Sequence, residues 1–128
     1  SVMANNLYRL SIYFENAHYE NVVEKMLQHI IPSIDYPSAF SNWLNLFLNQ
    51  SKKSMELAIC GTNATKEAEA INSSYFPNLL LSGSDKPTQL PFLKERFIEN
   101  KMLFYVCQNK SCNQPTENAI EVRKFLSA

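Results

Sequence analysis

The sequence predicts a mixed α and α/β fold, a helical segment followed by a small three-stranded, mostly parallel α/β unit. Three observations carry this. Over residues 1–50 apolar side chains recur at spacings of three and four, the period of helices with a buried face. After "NQSKKS" the pattern changes to short continuous apolar runs at Leu57–Cys60, Leu79–Leu81 and Met102–Val106, which read as strands covered on both faces. Between the first two runs lies a stretch of helical length, so they form a βαβ unit. The change of period sets a boundary near Gln50–Lys53, with residues 1–52 helical and 53–128 α/β.

In the helical part, Leu7, Leu10 and Phe14 share one face of a first helix, and Val22, Val23, Met26, Leu27, Ile30 and Ile31 form a broad stripe on a second, ended by Pro32. The short polar connection "ENAH" predicts that the two pack antiparallel. Pro37 and Ser38 open a third helix, with Phe40, Trp43, Leu44, Phe47 and Leu48 on its apolar side. In the second part, Gly61 ends the first strand and Thr62 or Asn63 caps "ATKEAEAINSSYF", with Pro77 before the second strand. The segment "PFLKERFIEN" reads as a short helix before the third strand. A last helix follows, with Thr116 as N-cap, Glu117 and Glu121 early, Arg123 and Lys124 late, and Ala119, Val122 and Leu126 on its buried side.

Composition narrows the function. Lys+Arg 12 against Asp+Glu 12 leaves no surplus of positive charge for phosphates or anionic lipid, so neither nucleic acid nor a membrane surface is expected as a partner. No run of about 18 apolar residues is available to span a bilayer, and "SVMANNLYRLSIYF" lacks the parts of a signal peptide. Three cysteines do not make a disulfide framework, which points to a reducing, cytoplasmic setting. With two glycines, Gly61 and Gly83, no Gly-rich phosphate loop exists and no cofactor is implied.

Cys107 and Cys112 stand five positions apart in "VCQNKSCNQP". They read as a structural turn with buried thiols or as a reversible disulfide, for which Lys110 is the nearby cation that would lower a thiol pKa. A structural zinc site needs four ligands, and even with Cys60 added the fourth would be His18 or His29 from the helical half, which argues against metal. Cys60 ends a buried strand and reads as a small hydrophobe. Neither histidine has a nucleophile and an orienting carboxylate near it in sequence, so no catalytic residue is assigned. Glu67 and Glu69, and Glu95 and Glu99, read as solvated faces of helices. Phe40, Trp43 and Phe47 have the spacing of a packed helical face and, in a complete barrel, of a sugar-stacking platform. "YRLSIYFENAHYENVVEKML" has the cadence of a helical repeat that binds peptides, but repeats of that kind need about three stacked copies and no second copy is present.

The order "ELAICG", "YFPNLLLSG", then "PFLKERFIENKMLFYVCQNKSCNQPTEN" before a last helix resembles the C-terminus of YyaL-type, spermatogenesis-associated thioredoxin-domain proteins. Val106, Cys107, Asn109, Cys112, Pro115 and Thr116 occupy the places of that family's V-C-x-N-x-x-C ending and its Thr-capped helix. "SVMANNLYRL" is similar to the start of a late helical hairpin in the same family. The resemblance implies that residues 1–52 are the last helices of an α/α six-hairpin barrel and that 53–128 are a small C-terminal α/β domain. It implies a parent with an N-terminal thioredoxin-like domain and sugar-active or thiol-redox chemistry elsewhere in the chain. The partner is then the rest of that chain, or a second copy bound through the exposed helical face. Where the family commonly has Gly before the third strand, this chain has "ENK".

Overall fold

The computed structural model describes residues 1–109 and 111–127, and the chain divides into two compact units, Ser1–Lys53 and Ser54–Ala128. The first holds α1 (Val2–Tyr13), α2 (Ala17–Ile30) and α3 (Ser41–Lys52), the last preceded by a 3-10 turn over Pro37–Phe40. Glu15, at φ 49°, reverses the chain after α1, and Asn16 caps α2 by accepting from the Tyr19 N–H at 3.1 Å. Ala4, Tyr8, Val23, Leu27 and Leu46 form the buried apolar set. The buried face of α1 is therefore Ala4, Tyr8 and Ser11, one position away from the expected Leu7, Leu10 and Phe14, of which Leu10 is 37% and Phe14 50% exposed. The small side chains of Ala4 and Ser11 suit close packing against α2, and the Ser11 hydroxyl loses no hydrogen bond there because it donates to the Tyr8 carbonyl at 2.6 Å. Tyr8 in turn donates its phenol to the Asn49 carbonyl of α3 at 3.2 Å. On α3 Leu46 is fully buried, whereas Phe47 and Leu48 are exposed and Trp43 is half-buried.

The second unit runs β1 (Met55–Gly61), α4 (Ala64–Asn72), β2 (Leu79–Ser84), β3 (Met102–Gln108), β4 (Ser111–Cys112) and α5 (Ala119–Ser127). These strands form one four-stranded sheet in the order β2-β1-β3-β4. The three-stranded, mostly parallel arrangement is corrected: β1 and β2 are parallel, with Leu57 beside Leu81, but β3 is antiparallel to β1, with Ile59 beside Phe104, and β4 is antiparallel to β3. The reason lies in the connections. A parallel return needs a crossover, usually a helix, and α4 supplies one between β1 and β2. Between β2 and β3 the segment expected to be a helix is a series of turns, closed by Leu93 N–H to Leu90 O (2.9 Å) and Arg96 N–H to Leu93 O (3.3 Å) and broken by Glu95 at φ 62°. The fourth strand is two polar, exposed residues, which carry no apolar run to reveal them.

Strand register sorts side chains between two faces. Leu57, Ile59, Phe104 and Val106 lie on one face and pack with Ala64 and Ile71 of α4 and Val122 of α5 in a single core, Ala119 and Leu126 joining at its margin. The opposite face carries Ala58, Cys60, Leu103, Tyr105 and Cys107, and the β2–β3 connection supplies two further buried residues, Phe92 and Leu93. Gly61 sits at φ 133° where β1 meets the start of β3, and a Cβ there would overlap the Lys101 carbonyl and come within 2.7 Å of the Met102 Cα. The turn into β3 uses Asn100 at φ 63°, the left-handed conformation that glycine would otherwise supply, which accounts for "ENK" at that place.

Two caps differ from expectation. At α4 the Asn63 side chain makes no capping bond; Asp85, just past β2, accepts from the Thr65 N–H instead. At α5 Asn118 is the cap, accepting from Ile120 and Glu121 N–H at 3.0 and 3.3 Å, while Thr116 holds Asn118 by accepting from its N–H at 3.1 Å. Among the described residues no helix is long and apolar enough to cross a membrane.

Candidate functional site

Cys107 is the sixth residue of β3 and Cys112 the last of β4, and the hairpin between them places the two directly opposite each other in register. They are joined as a disulfide, with Cα atoms 4.0 Å apart. Asn113 extends the hairpin by donating its N–H to the Val106 carbonyl at 2.9 Å. The two sulfurs differ in access. Cys107 is 3% exposed, on the face away from the helices, whereas Cys112 is exposed at the sheet edge.

The cation beside this bond is Arg96. Its Nη2 lies 3.7 Å from both Cys107 Sγ and Cys112 Sγ. The guanidinium is held over the rings of Phe92 and Tyr105, at 5.6 and 5.2 Å from their centroids, a geometry that favours a planar, weakly hydrated cation. Tyr105 also donates its phenol to the Arg96 carbonyl at 2.7 Å, fixing the connection to β3. The other terminal nitrogen, Nη1, is buried and has no hydrogen-bond partner among the described residues. A buried guanidinium nitrogen without a partner is costly.

The third cysteine joins the same environment. Cys60 is a free thiol, 1% exposed, on the strand face it shares with Tyr105 and Cys107. Burial pushes its thiol pKa up, and the Arg96 charge offsets part of that rise. Burial likewise raises the Tyr105 phenol, the Cys60 charge adds to the rise, and Arg96 opposes both. Arg96 is thus the common electrostatic neighbour of three sulfurs and a phenol.

Of the residues singled out in the sequence, Cys107, Cys112 and Cys60 share one sheet face. His18 and His29 are exposed on α2 in the other unit. Among the described residues no group of three or more His, Cys, Asp or Glu is arranged to hold a metal ion. Lys110 lies outside the described residues. Sequence spacing does not reveal Arg96, because a helix over "PFLKERFIEN" does not place a residue eleven positions before Cys107 near it. The available signal was its position between Phe92 and Phe97, aromatic neighbours unusual for a solvated arginine.

Human spermatogenesis-associated protein 20 is 32% identical to this chain over 101 residues, which take in 70% of the chain and 13% of the relative. The mouse protein of the same name is 28% identical over 138 positions, covering 98% of the chain and 18% of the relative. The rat protein is 30% identical over 101 residues. The chain therefore spans less than a fifth of the length of these relatives. No family model matches it, and no solved structure matches it.

Proposed function

The chain is a relative of spermatogenesis-associated protein 20 and its YyaL-type family, and on that premise we propose that it forms the C-terminal structural portion of a larger protein of that kind. In this reading the three helices of the first unit close an α/α six-hairpin barrel, and the sheet unit is an appendage that contributes no complete active site. The observation that carries the reading is an alignment running through 98% of this chain but 18% of the mouse relative. The exposed apolar side chains of the helical unit, Phe14, Phe47 and Leu48 among them, support it, since helices taken from a barrel present the faces that neighbouring hairpins would cover.

The partner of the chain is then the remainder of its own parent, and in isolation a second copy on the same helical face. A cytoplasmic location accompanies the reading. The parent's activity is proposed by fold analogy alone, as sugar or glycoside chemistry in the barrel and thiol chemistry in a thioredoxin-like domain.

The test is to sequence the gene upstream of the Ser1 codon. Several hundred further codons encoding a Cys-containing thioredoxin-like domain and repeated helical hairpins are expected. A start codon immediately upstream would overturn the proposal.

A further inference from the structure

We propose that Cys107–Cys112 is an exchangeable disulfide, reduced by dithiols through attack on Cys112, and that Arg96 is the positioning residue that stabilises the Cys107 thiolate released. This goes beyond the structural role proposed for the parent and does not depend on the barrel.

Three features point the same way. Access selects the sulfur that is attacked: Cys112 is exposed, whereas Cys107 is almost fully buried. Charge favours departure as a thiolate: Arg96 Nη2 lies 3.7 Å from Cys107 Sγ and equally from Cys112 Sγ, so access picks the sulfur that is attacked and the guanidinium stabilises the one that leaves, and exchange is faster when the departing thiol is held as a thiolate. The third is preorganisation, since the guanidinium is already held over the rings of Phe92 and Tyr105. In the oxidised state its Nη2 faces two neutral sulfurs, and reduction creates a negative charge beside that nitrogen. The other titratable groups on this face of the strands are Cys60, Tyr105 and Glu56, the last paired in register with Cys107; of the cations on the β2–β3 connection, Lys86, Lys94, Arg96 and Lys101, Arg96 is the one that lies against the sulfurs.

The step balances as follows. One thiolate of a dithiol attacks Cys112 Sγ, forming a mixed disulfide and breaking the Cys107–Cys112 bond, whose electron pair leaves on Cys107 Sγ beside Arg96. The second thiol of the reductant loses its proton and displaces Cys112. The products are the oxidised, cyclic reductant and a reduced pair, with Cys112 taking up a proton and Cys107 held as thiolate. Two electrons pass from the dithiol to the protein.

The experiment uses the 128-residue chain carrying Cys60→Ser, so that the pair supplies all the cysteine signal. It is equilibrated in graded mixtures of reduced and oxidised dithiothreitol, quenched in acid, and counted for free thiols, beside Arg96→Gln and Arg96→Lys in the same background. Arg96→Gln is expected to need about tenfold more reducing mixtures for half reduction, about 30 mV for a two-electron couple, and to be reduced by limiting dithiothreitol about tenfold more slowly. Arg96→Lys, which keeps a charge but not the planar fork, is expected to fall between. Equal midpoints and rates in all three overturn the role of Arg96, and so does an Arg96→Lys chain no better than Arg96→Gln.

A second measurement needs no change at Arg96. A brief pulse of reduced glutathione, acid quench and peptide mass mapping are expected to find glutathione on Cys112; glutathione on Cys107 overturns the assignment. Free thiols on both Cys107 and Cys112 in the unreduced chain would remove the couple altogether, leaving the reading of the parent protein to its own gene-level test.

Discussion

Asp85 grips Thr65 with both carboxylate oxygens: Oδ1 accepts from the Thr65 backbone N–H at 3.1 Å and Oδ2 from its hydroxyl at 2.9 Å. A residue beyond the end of β2 thereby caps the helix that leads into β2, tying the start of α4 to the segment that follows the second strand. The backbone bond from Thr65, then its hydroxyl, lowers the Asp85 pKa below its ordinary 3.8, with Ala64 N–H and Lys86 adding to the same direction.

Because the folded pKa is lowered, the unfolded chain binds the proton more readily, and the contribution of Asp85 is complete above the ordinary carboxylate range and lost as pH falls through the lowered value. Asp85→Asn is therefore expected to lower the midpoint of thermal unfolding at neutral pH, with the gap to the unaltered chain closing in acid. Melting curves at a series of pH values check this, and a gap that persists unchanged in strong acid would refute it.

Gly61→Ala is expected to be far more damaging than a surface substitution. Its φ of 133° is one that side chains rarely adopt, and the added Cβ meets backbone atoms of Lys101 and Met102, which have no rotamer to yield. A loss of about 3 kcal/mol is expected from strain and displacement of β3 together, measured by urea unfolding.

Phe104→Ala removes the largest fully buried side chain of the core and leaves a cavity between the sheet and its two helices. A cost of about 3–5 kcal/mol is expected. The same substitution at Tyr75, which is 87% exposed, is expected to change stability by less than about 0.5 kcal/mol. Comparing the two in one urea titration separates the loss of core from a general sensitivity to aromatic removal.

Replacing both Cys107 and Cys112 by Ser removes a cross-link of sequence separation 5. Closing so short a loop restricts the unfolded chain little, so the expected loss is about 2 kcal/mol. Dithiothreitol is expected to destabilise the unaltered chain by a similar amount and to leave the double Ser variant where it was, which urea titrations with and without the reductant will report.

The strands and most helix spans are legible because their signals are local. Leu57–Cys60 and Met102–Val106 are apolar without interruption, and residues on both faces of the strands that contain them are buried, one face against the helices, the other carrying Ala58, Cys60 and Cys107 with Arg96 over Tyr105. Strand direction was not legible, because it depends on whether the chain between β2 and β3 crosses over as a helix. The positive φ of Glu95, which ends that possibility, is not written in a residue type that favours it. The buried face of α1 is hidden for a related reason: Ala4 and Ser11 add little to an apolar pattern, yet small residues are what a close helix contact selects. Spacing reveals the cysteine pair, but the cation beside it, Arg96, comes from the preceding connection, which spacing within the hairpin does not show.

The brevity of β4 has a consequence for how this protein behaves toward other chains. Two paired positions, Cys107 with Cys112 and Gln108 with Ser111, make up the strand on that side of β3, one of them covalent, and beyond it only isolated backbone contacts, Asn113 with Val106 and Thr116 with Phe104, continue the pairing among the described residues. An edge strand stripped of its neighbour offers a row of free backbone donors and acceptors to any extended segment. The disulfide is in this sense an edge guard, and reduction loosens it. Solubility is therefore expected to follow redox state, with reduced protein scattering more light on storage than oxidised protein at equal concentration.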